Sequence, residues 1–131
     1  MRTLPILISV FIPIVHTVAQ ETDTIVDPRD GKVYNIVKIG NQWWMAENLN
    51  AIKYSDGTAI PLVEDTAAWN NLTEIDKAYC YYDNDVSNGD IYGALYTWVA
   101  AMNGAVSSDA NPSGVQGICP AGWHMPSDEE W

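Results

Sequence analysis

Paired turn residues cut this chain into short pieces. Asp30-Gly31, Gly40-Asn41, Asp56-Gly57 and Asn103-Gly104 each place a residue tolerant of positive φ where the backbone must reverse. The stretch 105–117, rich in Ser, Gly, Pro and Asn, reads as a further loop. What lies between these breaks is therefore short. Val33, Asn35, Val37 and Ile39 alternate with Tyr34, Ile36 and Lys38, and Gln42–Met45 follows the Gly-Asn turn, which predicts a β-hairpin. Asp65 is placed to cap a short helix through Ala67, Ala68 and Trp69, ended by Asn70-Asn71. Tyr79–Tyr82 is a compact β-prone run. The longest helical signal is Ile91–Gly104: Leu95, Trp98, Val99 and Met102 fall at i, i+3, i+4 and i+7, with Tyr92 near the start and Asn103-Gly104 as the stop. That spacing makes Trp98 a buried core residue. At the far end Ser127 and Glu130 form a capping-box pattern, with Asp128 and Glu129 suited to a helix N-terminus.

Residues 1–19 read as a secretory signal peptide. Arg2 supplies the positive start, Leu4–Val15 the apolar stretch, and Thr17-Val18-Ala19 the small residues before a cleavage site. The apolar run is shorter than the ~20 residues of a spanning helix, and Pro5 and Pro13 interrupt it, so no membrane span is expected after cleavage. The expected location is secreted, periplasmic or cell-surface. Residues 20–26 read as a polar lead-in. A formal charge of −11 with no basic stripe excludes nucleic acid as a partner. Two cysteines, Cys80 and Cys119, in a chain bound for an oxidising compartment are expected to form one disulfide.

Once the signal sequence is removed, His124 is the sole histidine, so any Ser-His-Asp or Cys-His scheme has to use it. No nucleophile is spaced to join it, and a packed or surface imidazole is the plainer reading. The loop holding Asp83, Asp85, Ser87 and Asp90 has the acid spacing of a calcium loop, but Ala94 stands where a bidentate Glu is needed. It is not an EF-hand; a looser calcium site from Asp83, Asp85 and Asp90 competes with a solvated acidic turn. No other cofactor is implied. Trp43 and Trp44 sit in one strand and so point to opposite faces, one toward the core and the other toward solvent. With Asn48 nearby they are the candidate ligand residues, because sugar-binding surfaces combine exposed aromatic faces with amides. Core packing is the competing use of a tryptophan, and at least four of the six are expected to be structural.

Four stretches, "KIGNQWWMAENLN", "YCYYDND", "YGALYTWVAAMNG" and "ICPAGWHMPSDEEW", in this order and spacing resemble the Fibrobacter succinogenes major paralogous domain. The resemblance spans residues 27–131 and implies an exported surface module. The family brings no established activity, so no catalytic residue is carried over. "GWHMPSDEEW" is also distantly similar to the formylglycine-generating-enzyme type of C-type-lectin-like domain. That likeness implies an α+β fold with short twisted strands, few helices and long loops. Family members continue past this point, so the resemblance implies a domain incomplete at its C-terminus. The function expected is non-catalytic ligand binding or adhesion, with a glycan or another surface protein as partner. An enzyme related to the formylglycine-generating domains and a structural spacer are the alternatives; likeness of fold does not carry activity.

Overall fold

A computed structural model describes residues 19–131; the expected signal peptide, apart from Ala19, lies outside them. The fold is α+β, built from short pieces: β1 (Thr22–Val26), β2 (Val33–Ile39), β3 (Gln42–Met45), α1 (Thr66–Asn70), β4 (Tyr79–Cys80), α2 (Gly89–Tyr92), β5 (Leu95–Tyr96) and α3 (Trp98–Ala101), with a final 3₁₀ turn at Asp128–Glu130. β1, β2 and β3 form an antiparallel meander in that order, and β4 pairs antiparallel with β5. The hairpin of β2 and β3 forms as its alternation predicts, with Val37 opposite Trp44 and Lys38 opposite Trp43. Asp65 caps α1, accepting from the Ala68 N–H at 2.7 Å.

One segment gains an element and two expectations are corrected. The polar lead-in contains a strand, β1, whose Thr, Asp and Ile alternate along one edge of the sheet. Its polarity reflects exposure on an edge, where hydrogen bonding to β2 supplies the order. The single helix over Ile91–Gly104 is three elements. Gly93 breaks it with φ 72°, in a site where a Cβ would lie 2.7 Å from the Leu49 carbonyl oxygen. Leu95-Tyr96 then pairs with Tyr79-Cys80, and Thr97 caps a new turn by accepting from the Ala100 N–H at 3.3 Å. The stripe therefore never lies on one helix: Met102 is buried, but Leu95 is exposed and Trp98 is 68 % exposed. Finally, Cys80 and Cys119 are free thiols. Cys119 is buried with its sulfur 3.6 Å from the Met125 thioether, and burial pushes its thiol up to about 11. Cys80 lies in β4, where burial also raises its thiol. The oxidising-compartment argument says nothing about whether two positions meet.

The core is made of tyrosines. Tyr34, Tyr54, Tyr79 and Tyr81 are buried beside Ala51, Ile60, Ala94, Ala100 and Ile118. The hydroxyls of Tyr34, Tyr54 and Tyr96 bond main-chain groups of the loops and of α3. The Tyr34 hydroxyl accepts from the Asn50 N–H at 3.0 Å, and Tyr54 donates to the Ala100 carbonyl at 3.0 Å. Tyr96 donates to the Ala51 carbonyl and accepts from the Ala51 N–H, both at 2.8 Å; burial raises its phenol well above the usual range. Arg29 completes the set. Its Nε and Nη2 grip Asp27, while Nη1 donates to the carbonyls of Lys53 (2.8 Å) and Ile118 (2.7 Å). Burial alone would raise the Asp27 carboxyl, but hydrogen bonds and charge from Arg29 outweigh it and hold it below its usual value.

Two substitutions separate this core from the one the stripe predicted. Tyr96→Phe leaves the Ala51 N–H without its partner and is expected to cost about 1–3 kcal/mol in urea unfolding. Trp98→Ala, at an exposed site, is expected to stay within about 0.5 kcal/mol. Thiol labelling under denaturing, non-reducing conditions is expected to count both cysteines, Cys80 and Cys119, as free.

Candidate functional site

An open groove of about 880 Å³ marks the surface of the described residues. β3 runs along it as the free edge of the sheet. Hydrogen-bonded pairs alternate along an antiparallel ladder. The Ala46 N–H donates to the Asn35 carbonyl at 2.9 Å, so by the same register Trp44 and Gln42 bond to β2. The main-chain N–H and C=O groups of Trp43 and Met45 then face the edge. Among the described residues no strand pairs with them there.

The edge position also explains how both tryptophans reach the groove. They do point to opposite faces of β3, but both faces border the edge, and Trp43, Trp44 and Asn48 all line the opening. Neither indole is buried: Trp43 is exposed and Trp44 half-buried. Trp44 leans on Trp131, with ring centroids 4.9 Å apart and the planes tilted by 46°. Lys38 sits across the hairpin with its ammonium 5.7 Å from the centre of the Trp43 ring, while also pairing with Glu21 at 2.8 Å. Trp123 half-covers the opposite wall. No tryptophan of the chain is fully buried, which corrects the expectation that most serve the core. A buried phenol can accept from a main-chain N–H as well as donate to a carbonyl, as Tyr34 and Tyr96 do, whereas an indole can only donate.

The floor of the groove is organised by Glu130, whose side chain is 1 % exposed. The C-terminal capping box forms: the Ser127 N–H donates to Glu130 Oε2 at 3.0 Å. The Ser113 N–H reaches the same oxygen at 3.0 Å, Gln42 Nε2 donates to Oε1 at 3.2 Å, and His124 Nε2 lies 2.7 Å from Oε1. The Ser127 bond is the strongest influence; it, His124 and Ser113 together overcome burial and bring the carboxyl down to about 2 from an ordinary 4.5. The sole histidine outside the signal sequence is thus an orienting partner of a buried carboxylate at the groove wall. The capping-box spacing announced Glu130, but not that its second oxygen would collect Gln42 and His124 from elsewhere.

The geometry does not gather the three acids of the calcium candidate. Asp85 spends its Oδ1 on the Ser87 N–H and hydroxyl at 2.9 and 2.8 Å, Asp90 faces Lys32 at 3.3 Å, and Asp83 sits on a left-handed backbone at φ 55°. Among the described residues no three His, Cys, Asp or Glu side chains come together as a metal site would need.

The sequence pattern of the Fibrobacter succinogenes major domain matches residues 37–131. The chain belongs to that family. The match opens within β2, later than the Asp27 start expected from the resemblance, and all four stretches that carried the resemblance fall inside it. Every residue of the groove except Ile36 lies within the family domain. No curated protein and no solved structure matches the chain.

Glu130 makes a prediction about acid. Its folded carboxyl titrates below its unfolded value, so the stability it adds is fully present above pH 4.5 and is lost as pH falls toward 2. Glu130→Gln is expected to cost about 2 kcal/mol at neutral pH. It is also expected to flatten the fall in urea midpoint between those two pH values.

Proposed function

We propose that this chain is an exported, non-catalytic binding module of the cell surface or periplasm, and that it holds a glycan in the groove along β3. The observation that carries this reading is the convergence of Trp43, Trp44 and Asn48 on one opening, beside main-chain donors and acceptors that have no partner strand. Sugars present apolar C–H faces edged by hydroxyls. Indole faces take the first, while amides and free peptide groups take the second. The architecture is read as a C-type-lectin-like variant, in keeping with its short strands and long loops. The non-catalytic reading is supported by His124, whose Nε2 is committed to Glu130, and by the raised thiols of Cys80 and Cys119, which are poor nucleophiles in that state.

A second reading rests on the same free edge. An extended segment of another surface protein adds to β3 and satisfies Trp43 and Met45 by main-chain pairing. The two readings part in experiment. On the glycan reading, affinity electrophoresis of the secreted protein through polysaccharide gels shows retardation. Trp44→Ala and Asn48→Ala each weaken it at least about tenfold, while the far-UV spectrum and melting temperature hold. On the protein reading, no polysaccharide retards it, and Met45→Pro, which removes an edge N–H, abolishes the protein contact instead.

A further inference from the structure

The groove has a charge signature that narrows its ligand. Its lining includes Glu47, Glu130 and His124, but no lysine or arginine. Glu130 is buried and its charge is spread over four donors, so it meets a ligand only through the groove wall. Glu47 differs. It is exposed at the rim next to Asn48, and Asn35 holds its carboxylate through both the main-chain N–H and the side-chain amide. The nearest cation described at this edge, Lys38, lies over the Trp43 ring and is already paired with Glu21. A ligand carboxylate seated on Trp43 or Trp44 would meet a fixed negative charge with no compensating cation lining the groove. The formal charge of −11 across the chain adds a repulsive field of the same sign.

We infer that the groove selects sugars that carry no negative charge, and that Glu47 is the residue that sets this selection. This rests on the glycan reading above and deepens it. Neutral and amine-bearing sugars stack on the indoles without penalty, and an ammonium is attracted both to Glu47 and to the indole faces. Uronates and other acidic sugars are turned away. The Asn35 hydrogen bonds matter here, since a carboxylate held at the rim cannot swing clear of an acidic ligand.

The test compares cello-oligosaccharide, glucosamine oligomer and galacturonate oligomer of equal length by calorimetry, with the secreted protein at low salt. The galacturonate oligomer is expected to bind about tenfold more weakly than the cello-oligosaccharide. In Glu47→Gln, which keeps the bonds to Asn35 within reach, the ratio is expected to fall to within about threefold. Raising the salt to about 0.5 M is expected to shrink it in the wild type as well. If the galacturonate oligomer binds as tightly as the neutral one, and Trp44→Ala weakens it, the selection is wrong while the glycan reading stands. A ratio that Glu47→Gln leaves untouched overturns the assignment to Glu47. If no sugar binds at all, the glycan reading falls and this inference falls with it.

Discussion

A chain made of short elements has many loop peptide groups and few strands to pair them, and buried loop backbone without partners is costly. This protein answers with side chains. Arg29 makes the longest-range join: one guanidinium, fixed by Asp27, holds the carbonyls of Lys53 and Ile118 together. The tyrosines do the same at other joins, with Tyr34 on Asn50, Tyr54 on Ala100 and Tyr96 on Ala51. Each buries a ring in the core and spends its hydroxyl on the main chain. The result is a core that is at once apolar packing and backbone capping. The indoles stay outside that core, and four of them, Trp43, Trp44, Trp123 and Trp131, line the groove.

Local signals were legible. The β2–β3 hairpin follows from alternation and a Gly-Asn turn, α1 from Asp65, and the C-terminal capping box from Ser127 and Glu130. Each depends on residues within a few positions of one another. The misreading of Ile91–Gly104 has the same origin. A helical stripe of four residues looked decisive, yet Gly93 and Thr97 punctuate it, and Leu95-Tyr96 is drawn into a strand by Tyr79-Cys80, well separated in sequence. A weak local preference gave way to tertiary pairing.

The site was legible in its residues but not in its shape. Trp43, Trp44 and Asn48 could be chosen because they are adjacent and chemically apt. That β3 would be an edge strand, that its Gln42 would reach Glu130, and that Trp123, His124 and Glu130 would line the same groove, depends on contacts across most of the domain. The acidic loop shows the converse. Asp83, Asp85 and Asp90 have a suggestive spacing, but the backbone turns them to Ser87, to Lys32 and to solvent. The paired cysteines were inferred from compartment and an even count, and no sequence argument placed either sulfur.

The Arg29 bond to Ile118 and the Gln42 bond to Glu130 join residues 89 and 88 positions apart. Two of the contacts that organise the fold are therefore closures of nearly the whole domain. Folding rates fall as contacts become more distant along the chain, because loop-closure entropy is spent before such contacts form. While the second half is missing, the meander β1–β3 can pair along its own ladders, but Arg29 lacks one of its two distant carbonyls. Those two closures wait until residues near 118 and 130 are available. The finished fold is therefore sealed late, by bonds that only the far end of the domain can supply.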